Sequence, residues 1–142
     1  MIPNSTLFKK ACAARKKSYS PYSQFKVGAA IQLSNKKVFS GCNVENSSYG
    51  GTVCAERTAI FKAVSESGPK IVIEEVVVVT DASPAWPPCG LCRQVIAEFS
   101  TPKTKIHAMN LKGECRTSSF EELLPQAFLP EHLKKFPRHG SR

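Results

Sequence analysis

The sequence predicts a three-layer α/β/α domain built around a mixed sheet. Three observations carry that class. Apolar spacing along the chain switches between helical and strand periods. Val76 to Thr80 is a continuous apolar run, as expected of a strand covered on both faces. A helical segment and another strand follow that run at the spacing of a βαβ unit, whose two strands run parallel.

Taken in order, the first helix is expected over residues 6–18, capped by Asn4 or Ser5 and stopped by Pro21. Leu7, Phe8, Ala11 and Ala14 make its apolar face and lysines the other. Residues 25–27 and 30–33 read as a strand and residues 37–42 as its partner, joined by a hairpin turn at Ser34-Asn35-Lys36. Residues 43–53 are polar and glycine-bearing and read as a loop. A second helix spans residues 54–67, burying Ala55, Ala59, Ile60, Ala63 and Val64, and Gly68-Pro69 end it. After the strand at 76–80 comes a loop with three prolines, residues 81–88. Residues 89–99 read as a helix with Leu91, Val95, Ile96 and Phe99 inward, and residues 104–110 as a strand. Ser118-Ser119-Phe120-Glu121 fits a capping box ahead of a short helix ending at Pro125. The order is α-β-β-α-β-α-β-α, in one domain over residues 1–142, of which about 129–142 form a basic C-terminal tail.

With 142 residues, 42% of them hydrophobic and 22% charged, the chain can build its own core and is not a disordered one. No apolar stretch approaches the ~20 residues of a membrane helix, so no membrane association is expected. Met1-Ile2-Pro3-Asn4-Ser5 lacks the ~7–15-residue apolar run of a signal peptide, so a reducing, cytoplasmic compartment is expected. The formal charge of +9 gathers near the ends, at Lys9, Lys10, Arg15, Lys16 and Lys17 and again at Lys134, Lys135, Arg138 and Arg142. No basic run is interleaved with stacking aromatics, so the charge reads as a solvated surface and no nucleic-acid partner is expected.

Six cysteines fall at positions 12, 42, 54, 89, 92 and 115. In a cytosolic chain such spacing points to metal or catalysis rather than to disulfide staples. Cys54-Ala55-Glu56 opens one helix after a loop. Pro88-Cys89-Gly90-Leu91-Cys92 opens another just beyond a strand. Two helices packed side by side could aim both N-termini at one spot, where the helix dipoles and free N–H groups stabilise thiolates. Three thiolates there would hold a zinc ion and leave a fourth tetrahedral position for water, the mark of a catalytic site. Glu56, two residues beyond Cys54, is placed to take a proton from that water.

Other assignments stay open at this level. Cys89 and Cys92, with Trp86 upstream, could be a redox pair, which would leave Cys54 and Glu56 without a task. A structural zinc could use Cys42, Cys115 or His107 as a fourth ligand, which would leave Glu56 unexplained. Cys12 and Cys115 read as small buried hydrophobes. A zinc-dependent nucleic-acid module and a disulfide oxidoreductase are the competing functions.

Four segments together resemble cytidine deaminase, in its small homotetrameric class with three cysteine ligands. They are Phe25-Lys26-Val27-Gly28-Ala29-Ala30, Asn43-Val44-Glu45-Asn46, Thr52-Val53-Cys54-Ala55-Glu56-Arg57 and Pro88-Cys89-Gly90-Leu91-Cys92-Arg93-Gln94. The resemblance covers about residues 8–128. Trp86 and the basic tail are not part of it. Blasticidin deaminase shares the Cys-Ala-Glu and Pro-Cys-x-x-Cys elements, but Asn43 to Asn46 followed by Ser48-Tyr49 favours cytidine.

The resemblance implies a cytidine deaminase-like fold and hydrolytic deamination of free cytidine and deoxycytidine in pyrimidine salvage. It implies one Zn2+ per chain on Cys54, Cys89 and Cys92, with Glu56 as the catalytic proton carrier. Asn43 and Glu45 are expected to grip the ribose, Phe25 to pack on the base and the Ala55 backbone to read the base edge. Tyr49 and Phe128 are expected near subunit boundaries, Phe128 reaching into another chain's pocket. Three thiolates and Zn2+ sum to a net negative charge, so Arg57, oriented by Gln94, is expected to withdraw charge from the sulfurs.

Overall fold

The computed structural model describes residues 5–134. Its elements are α1 (Ser5–Arg15), β1 (Gly28–Leu33), β2 (Val38–Cys42), a single 3-10 turn (Tyr49–Gly51), α2 (Ala55–Ser67), β3 (Ile73–Thr80), α3 (Gly90–Glu98), β4 (Ser100–Asn110), β5 (Cys115–Ser119), α4 (Phe120–Leu123) and α5 (Pro130–Lys134). The five strands form one sheet in the order β2-β1-β3-β4-β5. β3 and β4 run parallel across the α3 crossover and every other pair is antiparallel, so the sheet is mixed as expected.

The apolar run in β3 divides its side chains between two layers, because successive residues of a strand face opposite sides. Val77 and Val79 pack with Leu7 and Ala11 of α1. Val76 and Val78 pack with Ala59, Ile60 and Ala63 of α2, Ile96 and Ala97 of α3, and Phe120. Ser34-Asn35-Lys36 makes the β1–β2 turn, with Lys36 at φ 68° and its N–H donating to the Leu33 carbonyl at 2.8 Å.

Several expectations need correcting. α1 ends at Arg15, well before Pro21, and Ser5 lies inside the helix; Asn4 is outside the described residues. Residues 25–27 are not strand, because the Asn43 side chain takes the place of a strand partner there. Asn43 donates from Nδ2 to the Phe25 carbonyl at 2.8 Å and accepts the Val27 N–H at 2.9 Å. β5 was not foreseen: its side chains are polar and largely exposed, so the segment has no apolar signature. The capping box sits one residue later, with Ser119 as cap and Glu122 as its reciprocal partner. Leu91 is 66% exposed and Cys92 takes the inward place in the first turn of α3. Cys115 is exposed rather than buried, while Cys12 packs against the α1-face cluster. The tail contains the short helix α5, and residues 135–142 are outside the described residues.

Two glycines set how closely helices approach the sheet. A Cβ on Gly28 would lie 2.0 Å from the Ala11 carbonyl oxygen of α1. A Cβ on Gly41 would lie 2.6 Å from the Ala59 nitrogen and 2.8 Å from the Ala55 oxygen of α2. Both neighbours are backbone and cannot rotate away. Gly28→Ala and Gly41→Ala should each cost ~3 kcal/mol, the upper end for overpacking, measured by denaturant unfolding. Only Gly41→Ala should also weaken metal binding, because it displaces the start of α2. Unchanged unfolding midpoints would contradict this packing account.

Candidate active site

Strand direction places the site. β2 and β3 are both antiparallel to β1 and so point the same way. Their carboxyl ends lie at one edge of the domain, where the chain leaves toward α2 and α3. Crevices at the carboxyl ends of strands are where open α/β sheets take ligands. Cys54 is the N-cap of α2 and Cys89 the N-cap of α3; both are extended, and neither side chain caps its own helix. Cys92 follows in the first turn of α3, fully buried. The three sulfurs lie within 4.8 Å of one another, with Cys54 and Cys89 Sγ 3.7 Å apart.

The electrostatics of this trio fit a divalent cation. The Cys92 thiol donating to it, with help from Arg57 and Cys89, pulls the Cys54 thiol down to about 5. The same hydrogen bond, together with burial, pushes Cys92 far up. One thiolate therefore opposes the next, and three thiolates at these distances need a cation between them. Glu56 lies in the first turn of α2, 3% exposed. Burial, reinforced by the charge on Cys54, raises its carboxyl to about 7. Arg57 donates from one terminal nitrogen to Cys54 Sγ at 3.6 Å and to the Thr52 carbonyl at 3.1 Å, while its Nε is buried without a partner. Cys42, Cys115 and His107 take no part. Among the described residues the metal-competent group is Cys54, Cys89 and Cys92. His107 instead sits buried 3.0 Å from Glu75 and 2.8 Å from the Thr117 hydroxyl.

A cavity of about 260 Å³ adjoins these groups. Cys54, Glu56 and Cys89 line it with Asn43, Glu45 and Thr52 from the loop after β2, Val27 ahead of β1, Val78 and Thr80 at the end of β3, and Trp86 and Pro87 from the loop before α3. It falls just below the ~300–1,000 Å³ of drug-sized pockets, a size for one small ring system. A neighbouring groove of about 400 Å³ shares Glu45 and Thr52 and adds Tyr22, Ser23 and Tyr49.

The other expected site residues divide in role. Asn43 is buried and its side chain is largely spent internally, accepting from Ser18 and Val27 and donating to Phe25. Glu45 accepts from the Ser23 hydroxyl, the Tyr22 N–H at 2.9 Å and the Ser23 N–H at 3.2 Å, and these hold its carboxyl below the usual range. Ala55 is fully buried at the start of α2. Phe25 is half exposed and meets Trp86 edge to face, with centroids 5.0 Å apart. Tyr49 is 74% exposed, its ring against Tyr22. Phe128 is exposed and stacks on His132, and it does not line the cavity. Gln94 donates to the Phe128 carbonyl at 2.8 Å rather than to Arg57. Trp86, Thr52 and Thr80 were not foreseen as lining residues. The available signal for Trp86 was its place three residues before Cys89 in a proline-rich loop.

Comparison with known proteins agrees with the geometry. Residues 1–108 match the family model described as the cytidine and deoxycytidylate deaminase zinc-binding region. A cytidine deaminase from Halalkalibacterium halodurans is 47% identical over 127 residues, 89% of this chain and 95% of the relative. One from Sporosarcina psychrophila is 46% identical over 84% of this chain and 87% of the relative. The crystal structure of a cytidine deaminase from Burkholderia pseudomallei superposes with a TM-score of 0.83 at 45% identity, covering 88% of this chain and 98% of that one.

Cys89→Ala should lose bound zinc, read by metal analysis of the purified protein. In the unsubstituted chain zinc should dissociate as pH falls, because protons compete for the thiolates. Retention of full zinc in the variant would remove Cys89 from the site.

Proposed function

This chain belongs to the cytidine deaminase family, and from that premise we propose that it hydrolyses free cytidine and deoxycytidine to uridine and deoxyuridine, releasing ammonia in pyrimidine salvage. Three converging thiols beside a buried carboxyl, at a cavity sized for one ring, are the observation that carries this function.

Cys54, Cys89 and Cys92 hold the zinc, which when bound supplies the Lewis acidity that makes water a competent nucleophile near neutral pH. Glu56 is the catalytic residue. Its carboxylate takes a proton from the attacking water and passes it to the ring nitrogen beside the amine-bearing carbon. It then takes the proton of the newly added hydroxyl, which becomes the carbonyl, and delivers it to the departing amine, so that water adds and ammonia leaves. Burial disfavours the charged form of this carboxyl, which suits a group that must both accept and return a proton. Arg57, donating to the Cys54 sulfur, draws charge from the thiolate and keeps the site electrophilic.

Glu45, kept ionised by the Ser23 hydroxyl and two N–H groups, accepts from the sugar hydroxyls. Asn43 contributes its remaining amide hydrogen and, more importantly, shapes the strand approach. Phe25 covers one face of the base, and the Ala55 backbone reads its edge. A homotetramer would close the pocket: Phe128 and Tyr49 are large, exposed aromatics, and Phe128, held by Gln94, is suited to enter another chain's site. We place the enzyme in the cytoplasm, as a single domain over residues 1–142 with a basic tail. No helix among the described residues is long and apolar enough to cross a membrane.

Glu56→Gln should keep zinc and fold yet lose turnover by ~10⁴-fold or more, the upper end for a single acid–base group, because one carboxyl serves several transfers. Ammonia release from cytidine measures it, and near-normal turnover would refute the role. Mixing Glu56→Gln chains with Phe128→Ala chains under subunit exchange should raise activity above the sum of the two. No rise despite proven exchange would count against a shared site.

A further inference from the structure

Trp86 is the chain's single tryptophan and lies on the loop of residues 81–89 that joins β3 to α3. It lines the catalytic cavity and its ring meets Phe25. That loop is tied down at two separate places. Its later end is held by Arg93 of α3, which donates from Nε to the Pro88 carbonyl at 2.8 Å and from its terminal nitrogen to the Leu123 carbonyl at 2.8 Å. This tie fixes the approach to Cys89. Its earlier part is held by the β4–β5 hairpin. Asn110, 1% exposed at the end of β4, donates to the Ala82 carbonyl at 3.2 Å and to Glu114 Oε2 at 2.8 Å. Glu114 in turn accepts from the Ser83 hydroxyl at 3.2 Å and from the Ala85 N–H at 3.3 Å, next to Trp86. The Asn110 carbonyl oxygen of the side chain accepts the Lys112 and Glu114 N–H groups, each at 3.0 Å, so the clamp itself is braced.

We propose that Asn110 and Glu114 are positioning residues that set Trp86 as an aromatic wall of the catalytic cavity, with Phe25 backing its ring edge to face. The two ties separate two functions. Arg93 serves the metal end of the loop, whereas Asn110 and Glu114 serve the binding end. The clamp reaches the substrate only through Trp86, and this inference rests on the deaminase reading above for the identity of that substrate.

Glu114→Ala removes the acceptors for Ser83 and Ala85. Asn110→Asp keeps the side-chain oxygen that braces the hairpin but loses the donor to Ala82 and sets a carboxylate against Glu114. Emission from the single tryptophan reads the wall directly, in protein without substrate and with uridine added. Both variants should shift the Trp86 emission and weaken its response to uridine. They should raise KM for cytidine by roughly threefold to tenfold, the scale of one aromatic contact, with kcat within about twofold and zinc at the wild-type content. Glu114→Gln, which keeps one acceptor oxygen, should recover part of the KM. In a Trp86→Ala background Glu114→Ala should add nothing further, since the clamp would have no wall to hold. Unchanged emission and KM in folded Glu114→Ala would overturn the proposal. So would zinc loss with a fall in kcat, or full additivity with Trp86→Ala. If one variant fails to fold, the other and Glu114→Gln carry the same readings. A wild-type chain that turns over no cytidine would sink the proposed function, while the emission measurements would still decide the clamp.

Discussion

Two strands that point the same way, separated by one that points back, are what the site depends on. Because β2 and β3 are both antiparallel to β1, their carboxyl ends share one edge, and the helices that follow must start there. Each helix start offers a capping position with extended backbone, and a cysteine occupies both. Helix N-termini favour negative charge, so thiolates gain from their address before any metal arrives. Three of them in contact repel, and that repulsion makes the trio selective for a dication. Glu56 shares the first turn of α2 and inherits the same position without being a ligand. Gly41 matters for the same reason: it lets α2 lie close enough to the sheet for its start to meet that of α3.

Around this centre, much of the polarity is structural. Asn43 braces residues 25–27, so that Val27 reaches the cavity and Phe25 meets Trp86 instead of joining a strand. Ser23 and the Tyr22 N–H hold Glu45 in its charged form at the rim. Arg15 reaches from α1 to the Lys26 carbonyl and to Asp81, linking the two segments that carry Phe25 and Trp86. The pocket is thus assembled from loops, each pinned by a buried or half-buried polar side chain, on a rigid apolar sheet.

The sequence revealed what repeats or concentrates. The run at Val76 to Val79 announced a strand buried on both faces, and the cysteine spacing announced the metal group. Gly68 marked the end of α2, where it adopts φ 83°. What lacked such signatures went unread. β5 is a polar, exposed edge strand whose pairing to β4 is set by the turn at Gly113, φ 89°, and not by hydrophobicity. Leu91 looked like core by type, yet it falls on the outer side of the first turn of α3, where Cys92 must face the metal group. Gln94 was assigned to Arg57 by its place beside the cysteine motif, and a long-range contact with Phe128 took it instead. The loop of residues 81–89 carried no periodicity at all, so the place of Trp86 in the cavity emerged only with the fold.

The central claim is a three-thiolate site with one position left open for chemistry. X-ray absorption at the zinc edge of the purified protein tests it most directly. The predicted first shell is three sulfur atoms at about 2.3 Å and one nitrogen or oxygen scatterer at about 2.0 Å, with one zinc per chain. Four sulfurs would mean a closed structural site and would contradict the account, as would two sulfurs with two lighter ligands.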